Sequence, residues 1–312
     1  MEIFNRLEDV SPRFRGGVLS IGKFDGLHLG HSRIMAQTVA MAKRKNAPSL
    51  VFTFSPAPAN VLRPEYAPAP LVDAETKRAL IARAGIDALI EFPTTREFLN
   101  QSADAFFRDV VVSRLAAVGL VEGANFSFGR GREGSGDRLV ALASQFNVAL
   151  EIVAPIAIDG YVVSSSEIRR ALDAGDVRFA SRLLGRRHAI SGLVAHGEAR
   201  GRALGYPTAN LDNPSVFLPQ NALYAAIAKF DDGQTRPAAV NLGGNPTFGV
   251  KQRKIEAHIL DFSGDLYGKP LTLEFCAKIR DIEKFPDKES LLRQMARDLD
   301  ETRRFVKETQ TL

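Results

Sequence analysis

About the first 150 residues alternate short apolar runs with longer amphipathic ones, and this alternation constrains the fold more than any other feature of the chain. Strand, helix and strand in that order form a βαβ unit, in which the two strands lie parallel in one sheet. The pattern predicts strands at residues 18–22, 49–54, 88–92, 119–122 and 149–153. It predicts helices between them at residues 31–44, 73–84, 102–115 and 137–146. We therefore expect an α/β domain built on a parallel sheet.

The character of the sequence changes in the second half of the chain. Two short helices are predicted between residues 164 and 184, and the second ends at Gly185, a residue type that often follows a helix. Short β-rich runs separated by turns of Gly, Pro and Asn come next, and an amphipathic helix at residues 288–306 comes last. This pattern predicts an antiparallel barrel or sandwich. A length of 312 residues suits two domains, which we place at residues 1–186 and 187–312.

The composition of the chain narrows its function only a little. The 41 Lys and Arg residues against 36 Asp and Glu give a net charge of +5, which suits anionic small molecules as well as nucleic acid. The basic residues are scattered and form no long tail, so most are expected on a solvated face. The one cysteine, Cys276, cannot form a disulfide within the chain. We see no signal peptide and no apolar run of membrane-spanning length, and therefore expect a cytoplasmic protein.

The stretch GVLSIGKFDGLHLGH, residues 17–31, carries the first candidate site. It matches the phosphate-binding P-loop pattern as far as Lys23, but Phe24 stands where that loop needs a Ser or Thr hydroxyl for Mg²⁺. The intervening residues are apolar, as in a strand rather than a glycine-rich loop. The sequence instead predicts a strand, a tight turn and a helix that starts near His28.

His28 and His31 lie three positions apart at the start of that helix. Free backbone N–H groups and the helix dipole attract phosphate there, and both imidazoles can face the same anion. Gly30 lets the chain approach the anion closely. This H-x-G-H arrangement is that of nucleotidyltransferases, in which the histidines stabilise charge on phosphoryl oxygens while pyrophosphate leaves. The alternative is a pair that only caps the helix or binds a metal.

Residues 164–169, SSSEIR, offer a further phosphate contact. The Ser-x-x-Glu pattern is a capping box that begins a helix. Arg169 and Arg170 lie near the positive end of that helix, where a cation is unfavourable by roughly 0.3–1 kcal/mol. Their position indicates an anionic ligand such as a triphosphate, with plain helix capping as the alternative.

A second cluster lies in HGEARGRALGYPTANL, residues 196–211. Its glycines and arginines form a flap that can fold over phosphates. Thr208 and Asn210 alternate along an extended segment, so their side-chain oxygens share a face. Such hard oxygen ligands suit Mg²⁺ shared with ATP.

A kinase also needs a group that orients or deprotonates its acceptor. Glu256, in KIEAHIL, and Glu274, in TLEFC, are the candidates. Spacing alone does not choose between them, and it equally allows both to be solvent-facing residues of barrel strands.

The chain resembles the prokaryotic bifunctional riboflavin kinase/FMN adenylyltransferases, also called FAD synthetases, from end to end. The matching motifs occur in the order GKFDGLHLGH, FTFSPAP, EGANFSFG, SSSEIR, GYPTAN, NLGGNPTF, EAHILDF-SGDLYG and IRDIEKF. The resemblance implies an N-terminal Rossmann-like nucleotidyltransferase domain with a parallel sheet. It also implies a C-terminal antiparallel β-barrel kinase domain with a terminal helix. The implied reactions are phosphorylation of riboflavin to FMN and adenylylation of FMN to FAD, with ATP and Mg²⁺.

The resemblance also implies roles for individual residues. His28 and His31 would stabilise the transition state at the α-phosphate, and Glu256 would be the general base for the riboflavin hydroxyl. ATP in the adenylyltransferase would contact Gly22, Phe24, Asp25, Gly26, Gly30, Asn125, Ser164, Ser165, Ser166 and Arg169. ATP in the kinase would contact Gly197, Arg202, Gly205, Pro207, Thr208 and Asn210, and the last two would bind Mg²⁺. The expected partners are riboflavin, FMN and ATP, with no nucleic acid and no membrane, and the sequence leaves oligomerisation open.

Three positions depart from the family pattern. Ala57 stands where members often have histidine, Asn125 where many have aspartate, and Ser166 where threonine is frequent. Only Ala57 removes a functional group, an imidazole near the adenylylation site. A riboflavin kinase with an impaired adenylyltransferase half is therefore one alternative. The others are a nucleotidyltransferase with a different acceptor and a non-catalytic flavin- or RNA-binding regulator.

Overall fold

The computed structural model describes residues 1–196, 205–212, 214–243 and 253–310, the last of these without its side chain. The chain divides into two compact units. The first comprises Met1–Ala69 and Asp73–Ser164, and the second comprises Pro70–Val72 and Ser165–Leu312.

The first unit is built on a parallel sheet of six strands. They are β1 Glu2–Phe4, β2 Val18–Ile21, β3 Ser49–Ser55, β4 Ala88–Pro93, β5 Gly119–Gly123 and β6 Ala149–Val153. Their order is β1-β4-β3-β2-β5-β6, and every neighbouring pair is parallel. The sequence predicted all of them except β1, a short edge strand. The order reverses between β2 and β5, and α/β sheets bind ligands at such a reversal, beyond the carboxyl ends of the strands.

The four predicted helical regions of the first unit are present, and two short helices that the sequence did not predict occur at residues 58–62 and 96–99. They are α1 Leu29–Lys45, α2 Pro58–Leu62, α3 Ala74–Arg83, α4 Arg96–Leu99, α5 Ala103–Phe106 and α6 Asp137–Gln145, and α5 continues as a π-helix at Phe107–Arg114. Short 3₁₀ turns occur at Leu7–Asp9, Pro12–Phe14, Pro64–Tyr66 and Arg130–Arg132. Two small hairpins pair Ser127–Phe128 with Gly134–Ser135 and Ala157–Ile158 with Tyr161–Val162. Apolar and aromatic side chains on both faces of the sheet form the core.

The second unit begins with two helices and continues as a closed antiparallel barrel, which confirms the barrel rather than the sandwich. The helices are α7 Ser165–Asp173 and α8 Val177–Leu184. The strands are β7 Ala189–Ala195, β8 Ala209–Leu211, β9 Ala222–Phe230, β10 Thr235–Gly243, β11 Lys254–Ile259 and β12 Pro270–Asp281. Their order around the barrel is β7-β8-β11-β10-β9-β12. The last helix, α9 Lys288–Gln310, packs Val306 against apolar residues of β9 and β12.

A buried ion pair fastens α9 to the barrel. Arg280 of β12 donates from Nε and Nη2 to the carboxylate of Asp298 at 3.0 and 2.8 Å, and Gln294 adds a third hydrogen bond at 2.9 Å. The Asp298 side chain is only 5% exposed. Loss of the carboxylate would leave the guanidinium without its counter-charge in a site with little water.

We expect Asp298→Ala to lower the free energy of unfolding of the second unit by about 3 kcal/mol, because a buried charge without its partner is strongly destabilising. Asp300→Ala in the same helix is the matched control. The Asp300 side chain is 82% exposed and pairs with Arg303 at 3.5 Å, so its loss should change stability little. Urea unfolding of the full chain measures both variants, and equal losses would refute the role given to Asp298.

Candidate active sites

The two predicted histidines meet at the start of α1, just after the turn that follows β2. His28 is the N-cap of α1, and its Nδ1 accepts a hydrogen bond from the backbone N–H of His31 at 3.4 Å. The two imidazole rings are stacked, with centroids 3.7 Å apart and an interplanar angle of 17°. His28 is buried and His31 is partly exposed. Helix capping therefore accounts for one nitrogen of the His28 ring, but it gives no role to the side chain of His31.

His31 lies in surroundings that suit an anionic ligand. Its Nδ1 is buried and makes no hydrogen bond to any residue in the described ranges. Burial lowers the pKa of His31 well below its usual value, and electrostatic repulsion from His28, Lys23 and Lys77 lowers it further. An anion beside the ring would satisfy the nitrogen and offset this repulsion.

Lys77 is a cation of this site that sequence reasoning missed. It lies on α3, 54 residues after Lys23, and its Nζ donates to the Lys23 carbonyl oxygen at 3.3 Å. Burial lowers the pKa of Lys77, whereas the charges of Asp25 and Glu91 raise it. No motif surrounds Lys77, so only the packing of α3 beside the turn after β2 reveals that it is close to the histidines.

The turn between β2 and α1 depends on its glycines. Gly26 has φ +80°, a conformation that residues with a Cβ rarely adopt. A Cβ on Gly30 would lie 3.2 Å from the His28 ring, so glycine leaves room for that ring. The Phe24 ring is 3% exposed and packs edge-on against His31 with centroids 5.3 Å apart. Any contact between Phe24 and a nucleotide therefore involves its backbone.

The remaining candidates of the first unit lie at the carboxyl edge of the sheet. Gly22 follows β2, and its N–H donates to the Phe52 carbonyl oxygen of β3 at 3.0 Å. Asn125 is exposed in the turn after β5. Ala57 follows β3 and precedes α2. The topology thus places these three residues at the edge where the strand order reverses and where the histidine turn lies.

The SSSEIR segment spans the division between the two compact units. Ser164 is the last residue of the first unit, and the others lie in α7 of the second, namely Ser165, Ser166 and Arg169. The Arg169 guanidinium lies 5.6 Å from the centroid of the Phe217 ring. Arg170 donates from Nε to Glu167 at 2.9 Å, an ion pair within the helix that explains this cation without a ligand.

The second predicted cluster lies on three neighbouring strands of the barrel. Asn210 of β8 lies opposite Glu256 of β11, and Glu256 lies opposite Asn241 of β10. Residues directly opposite in antiparallel strands share a face, with Cβ atoms roughly 4.5–5.5 Å apart. Thr208 lies two positions before Asn210, just ahead of β8. The strand register therefore brings Asn210, one of the two predicted Mg²⁺ ligands, beside the predicted base.

The segment before β8 is anchored by a side chain of β11. His258 donates from Nδ1 to the Pro207 carbonyl oxygen at 2.8 Å. Gly205 has φ +85°, which favours glycine at this position. The two predicted flap residues, Gly197 and Arg202, lie outside the described residues.

Glu274, the other candidate base, has a different environment. It lies on β12 opposite Ala189 and Ile227, and Arg187 Nη1 is 3.5 Å from its carboxylate. This ion pair gives Glu274 a structural role on the barrel. Asn241, by contrast, is a neighbour of Glu256 that sequence reasoning missed, although it begins the quoted motif NLGGNPTF, most of which lies outside the described residues.

The side-chain oxygens of the second cluster indicate which metal ion it could bind. Within the ranges that the structure covers, no group of three or more His, Cys, Asp or Glu side chains could hold a metal ion. The hydroxyl of Thr208 and the amide of Asn210 are oxygen donors of another kind. Mg²⁺ commonly takes few protein oxygens and keeps waters and substrate phosphates as its other ligands, so these two residues fit that ion.

Comparison with known proteins decides the family of the chain. The family model described as FAD synthetase matches residues 11–167, and the one described as riboflavin kinase matches residues 184–306. A Haemophilus influenzae protein described as a bifunctional riboflavin kinase/FMN adenylyltransferase is 32% identical over 305 residues, covering 98% of this chain and 99% of that protein. The chain belongs to this bifunctional family.

A second relative carries the same description, and a solved structure with a different description is similar over nearly the whole chain. A Pseudomonas fluorescens protein with that description is 36% identical and covers 93% of each chain. A solved structure described as a macrolide-efflux protein from Streptococcus pneumoniae is 29% identical, covers 96% of this chain and 98% of its own, and has a TM-score of 0.87. Across the described part of this chain, none of the helices combines the length and apolar character that crossing a membrane requires.

Proposed function

We propose that residues 1–186 transfer AMP from ATP to FMN and that residues 187–312 phosphorylate riboflavin. The chain thus makes FMN and ADP from riboflavin and ATP, and then FAD and pyrophosphate from FMN and a second ATP. Two family matches in this order support the division, since one ends at residue 167 and the other begins at residue 184. The observation that carries the proposal is the presence of two separate clusters suited to phosphate chemistry, one in each compact unit.

In adenylyl transfer, an oxygen of the FMN phosphate attacks the α-phosphorus of ATP, and the bond to the pyrophosphate oxygen breaks. Because Nδ1 of His28 accepts a hydrogen bond, the neutral ring carries its proton on Nε2 and can donate it to a phosphoryl oxygen. His31 and Lys77 add donors to the same charge. These groups stabilise negative charge that grows in the transition state, and no covalent intermediate with the protein is needed.

Binding of ATP in the first reaction is assigned to residues around the histidine turn, the β5 turn and the start of α7. We propose that the backbone of Gly22 and Phe24 and the side chain of Asp25 line the nucleotide, and that Gly26 and Gly30 let the chain approach it. The remaining proposed contacts are Asn125, Ser164, Ser165, Ser166 and Arg169. The buried Nδ1 of His31, which no described residue satisfies, supports a ligand at this turn.

In riboflavin phosphorylation, the terminal hydroxyl of riboflavin attacks the γ-phosphorus of ATP and ADP leaves. Glu256 accepts the proton of that hydroxyl, and its place opposite Asn210 supports this role. Thr208 and Asn210 would hold Mg²⁺, which neutralises charge on the phosphates when it is bound. The proposed phosphate contacts are Gly197, Arg202, Gly205 and Pro207.

Product analysis tests the proposed function. Purified full-length chain is incubated with riboflavin, ATP and Mg²⁺, and the flavins are separated by chromatography. We expect FMN to appear first and FAD to follow, and we expect FAD alone when FMN replaces riboflavin. The absence of both products would refute the proposal.

A riboflavin kinase with an impaired adenylyltransferase half is a second candidate, because Ala57 offers no imidazole at the carboxyl edge of the sheet. The same incubation separates the two. If FMN accumulates and no FAD forms even at long times, the impaired form is correct.

We expect ATP binding at the histidine site to be coupled to proton uptake. The lowered pKa of His31 keeps its ring neutral near pH 7 in the free protein, and a triphosphate beside the ring would raise that pKa. ATP affinity at this site should therefore increase as the pH falls between the free and the bound pKa. Calorimetric titrations at about pH 6.5 in buffers of different ionisation enthalpy measure the uptake. His31→Gln should reduce it, and an unchanged uptake in that variant would contradict the coupling.

A further inference from the structure

Glu122 is a buried acidic side chain that the proposed chemistry does not use. Among the described residues, the buried acidic side chains are Glu91, Glu122 and Asp298, and the other two are paired with arginines. Glu122 is 2% exposed and has no ion-pair partner in those residues. Its Oε1 accepts a hydrogen bond from the backbone N–H of Ile21 at 2.7 Å. The side chain of one strand thus satisfies the backbone of another.

The environment of Glu122 favours the neutral form of its carboxyl group. Burial raises the pKa of Glu122 well above its usual value, and the hydrogen bond from Ile21 offsets only part of this rise. A neutral carboxyl group offers an acceptor on one oxygen and a donor on the other. Such a group resembles an amide in its hydrogen bonding, and it is a poor ligand for Mg²⁺.

The hydrogen bond from Ile21 lies where β2 and β5 separate. In the described part of the chain these strands pair at two positions, Val18–Gly119 and Leu19–Leu120. Beyond them, β2 stays paired with β3 as far as Ile21, and β5 stays paired with β6 as far as Gly123. The two strands therefore part at their carboxyl ends while each remains bound to its outer neighbour. Glu122 spans the gap in place of a backbone carbonyl.

The gap is next, along both strands, to residues of the proposed adenylyltransferase site. Ile21 is followed at once by the histidine turn, which starts at Gly22, and Glu122 is followed three positions later by Asn125. We infer that Glu122 is a positioning residue for adenylyl transfer, because its carboxyl group bridges the parted ends of β2 and β5 and so sets the spacing between the histidine turn and Asn125. This inference rests on the proposed function of the first unit.

Two variants of similar volume separate the hydrogen bond from simple packing. Glu122→Gln is neutral and keeps an acceptor for the Ile21 N–H, whereas Glu122→Met fills the space without one. We expect the kcat of FAD formation from FMN to fall on the order of tenfold or more in Glu122→Met, because small displacements of catalytic groups are costly. Glu122→Gln should stay within about threefold of the unsubstituted chain. Riboflavin phosphorylation should be unchanged in both, which checks that the second unit is folded and that the loss is confined to the first.

Amide hydrogen exchange at Ile21 provides a second measurement that does not depend on activity. Exchange should accelerate in Glu122→Met and stay slow in Glu122→Gln. The inference would be overturned if hydrogen exchange at Ile21 and FAD formation were both unchanged in Glu122→Met. It would also be overturned if Glu122→Gln were as defective as Glu122→Met, because the function would then depend on the charge of the Glu122 carboxylate and not on its hydrogen bond. If the unsubstituted chain makes no FAD, the proposed function fails instead. Slow exchange at Ile21 in Glu122→Met would still show that the carboxyl group of Glu122 does not hold the ends of β2 and β5 together.

If Glu122→Met does not fold, Glu122→Gln provides the test. Fast exchange at Ile21 or loss of FAD formation in Glu122→Gln would then overturn the inference.

Discussion

FAD formation should fall about 10²–10³-fold in His28→Asn, while riboflavin phosphorylation stays at the level of the unsubstituted chain. The imidazole is expected to donate to a phosphoryl oxygen whose charge grows in the transition state, and asparagine lacks that ring. Asparagine is nevertheless a good N-cap, so it can replace the capping that His28 Nδ1 provides for α1. Rates of FAD formation from FMN at saturating ATP measure the effect.

Comparison with His28→Ala distinguishes catalysis from capping. Alanine removes both the ring and the cap, and it should cost about 1 kcal/mol of stability in addition to the catalytic loss. If His28 acted only as a cap, His28→Asn would form FAD normally and only His28→Ala would be defective. That outcome would contradict the role of the histidine pair in the chemistry.

Riboflavin phosphorylation should fall about 10²–10⁴-fold in Glu256→Gln, with FAD formation from FMN unchanged. Glutamine keeps the shape of the side chain but cannot accept the proton of the attacking hydroxyl. Thr208 and Asn210 remain in place, so the affinity for ATP in the presence of Mg²⁺ should hardly change. Initial rates of FMN formation and calorimetric titration with ATP measure the two quantities.

Glu274→Gln is the matched control for Glu256→Gln. Both glutamates lie on strands of the barrel, but Glu274 pairs with Arg187 and lies away from the row formed by Asn210, Glu256 and Asn241. We expect its substitution to leave the rate of phosphorylation almost unchanged. A larger loss in Glu274→Gln than in Glu256→Gln would reverse the assignment of the base.

The sequence predicts the elements of the fold well, because each leaves a local pattern. The five strands at residues 18–153 and the final helix follow from periodicity, whereas β1 at Glu2–Phe4 is too short to show a period. The ends of the barrel strands are less evident: β11 ends at Ile259, and β12 continues to Asp281. These ends depend on pairing across the barrel, which the local sequence does not encode.

The sites were predicted to the extent that their residues are neighbours along the chain. His28 and His31 belong to one motif, and their stacking follows from helix spacing. Lys77 reaches them from a separate helix, and Glu122 looks in the sequence like any polar residue at the end of a strand. The choice of Glu256 over Glu274 came from resemblance, and strand register supports it because the register sets Asn210 opposite Glu256. The cytoplasmic location stays a prediction.

The central claim is that one chain carries two independent phosphate-transfer sites, and mixing two defective chains tests it most directly. His28→Asn should still make FMN from riboflavin, and Glu256→Gln should still make FAD from FMN, but each alone should convert riboflavin to FAD at least about 100-fold more slowly than the unsubstituted chain. An equimolar mixture with riboflavin, ATP and Mg²⁺ is predicted to form FAD, since FMN released by one chain is the substrate of the other. A mixture that forms no FAD, or a single variant that loses both reactions, would contradict the account.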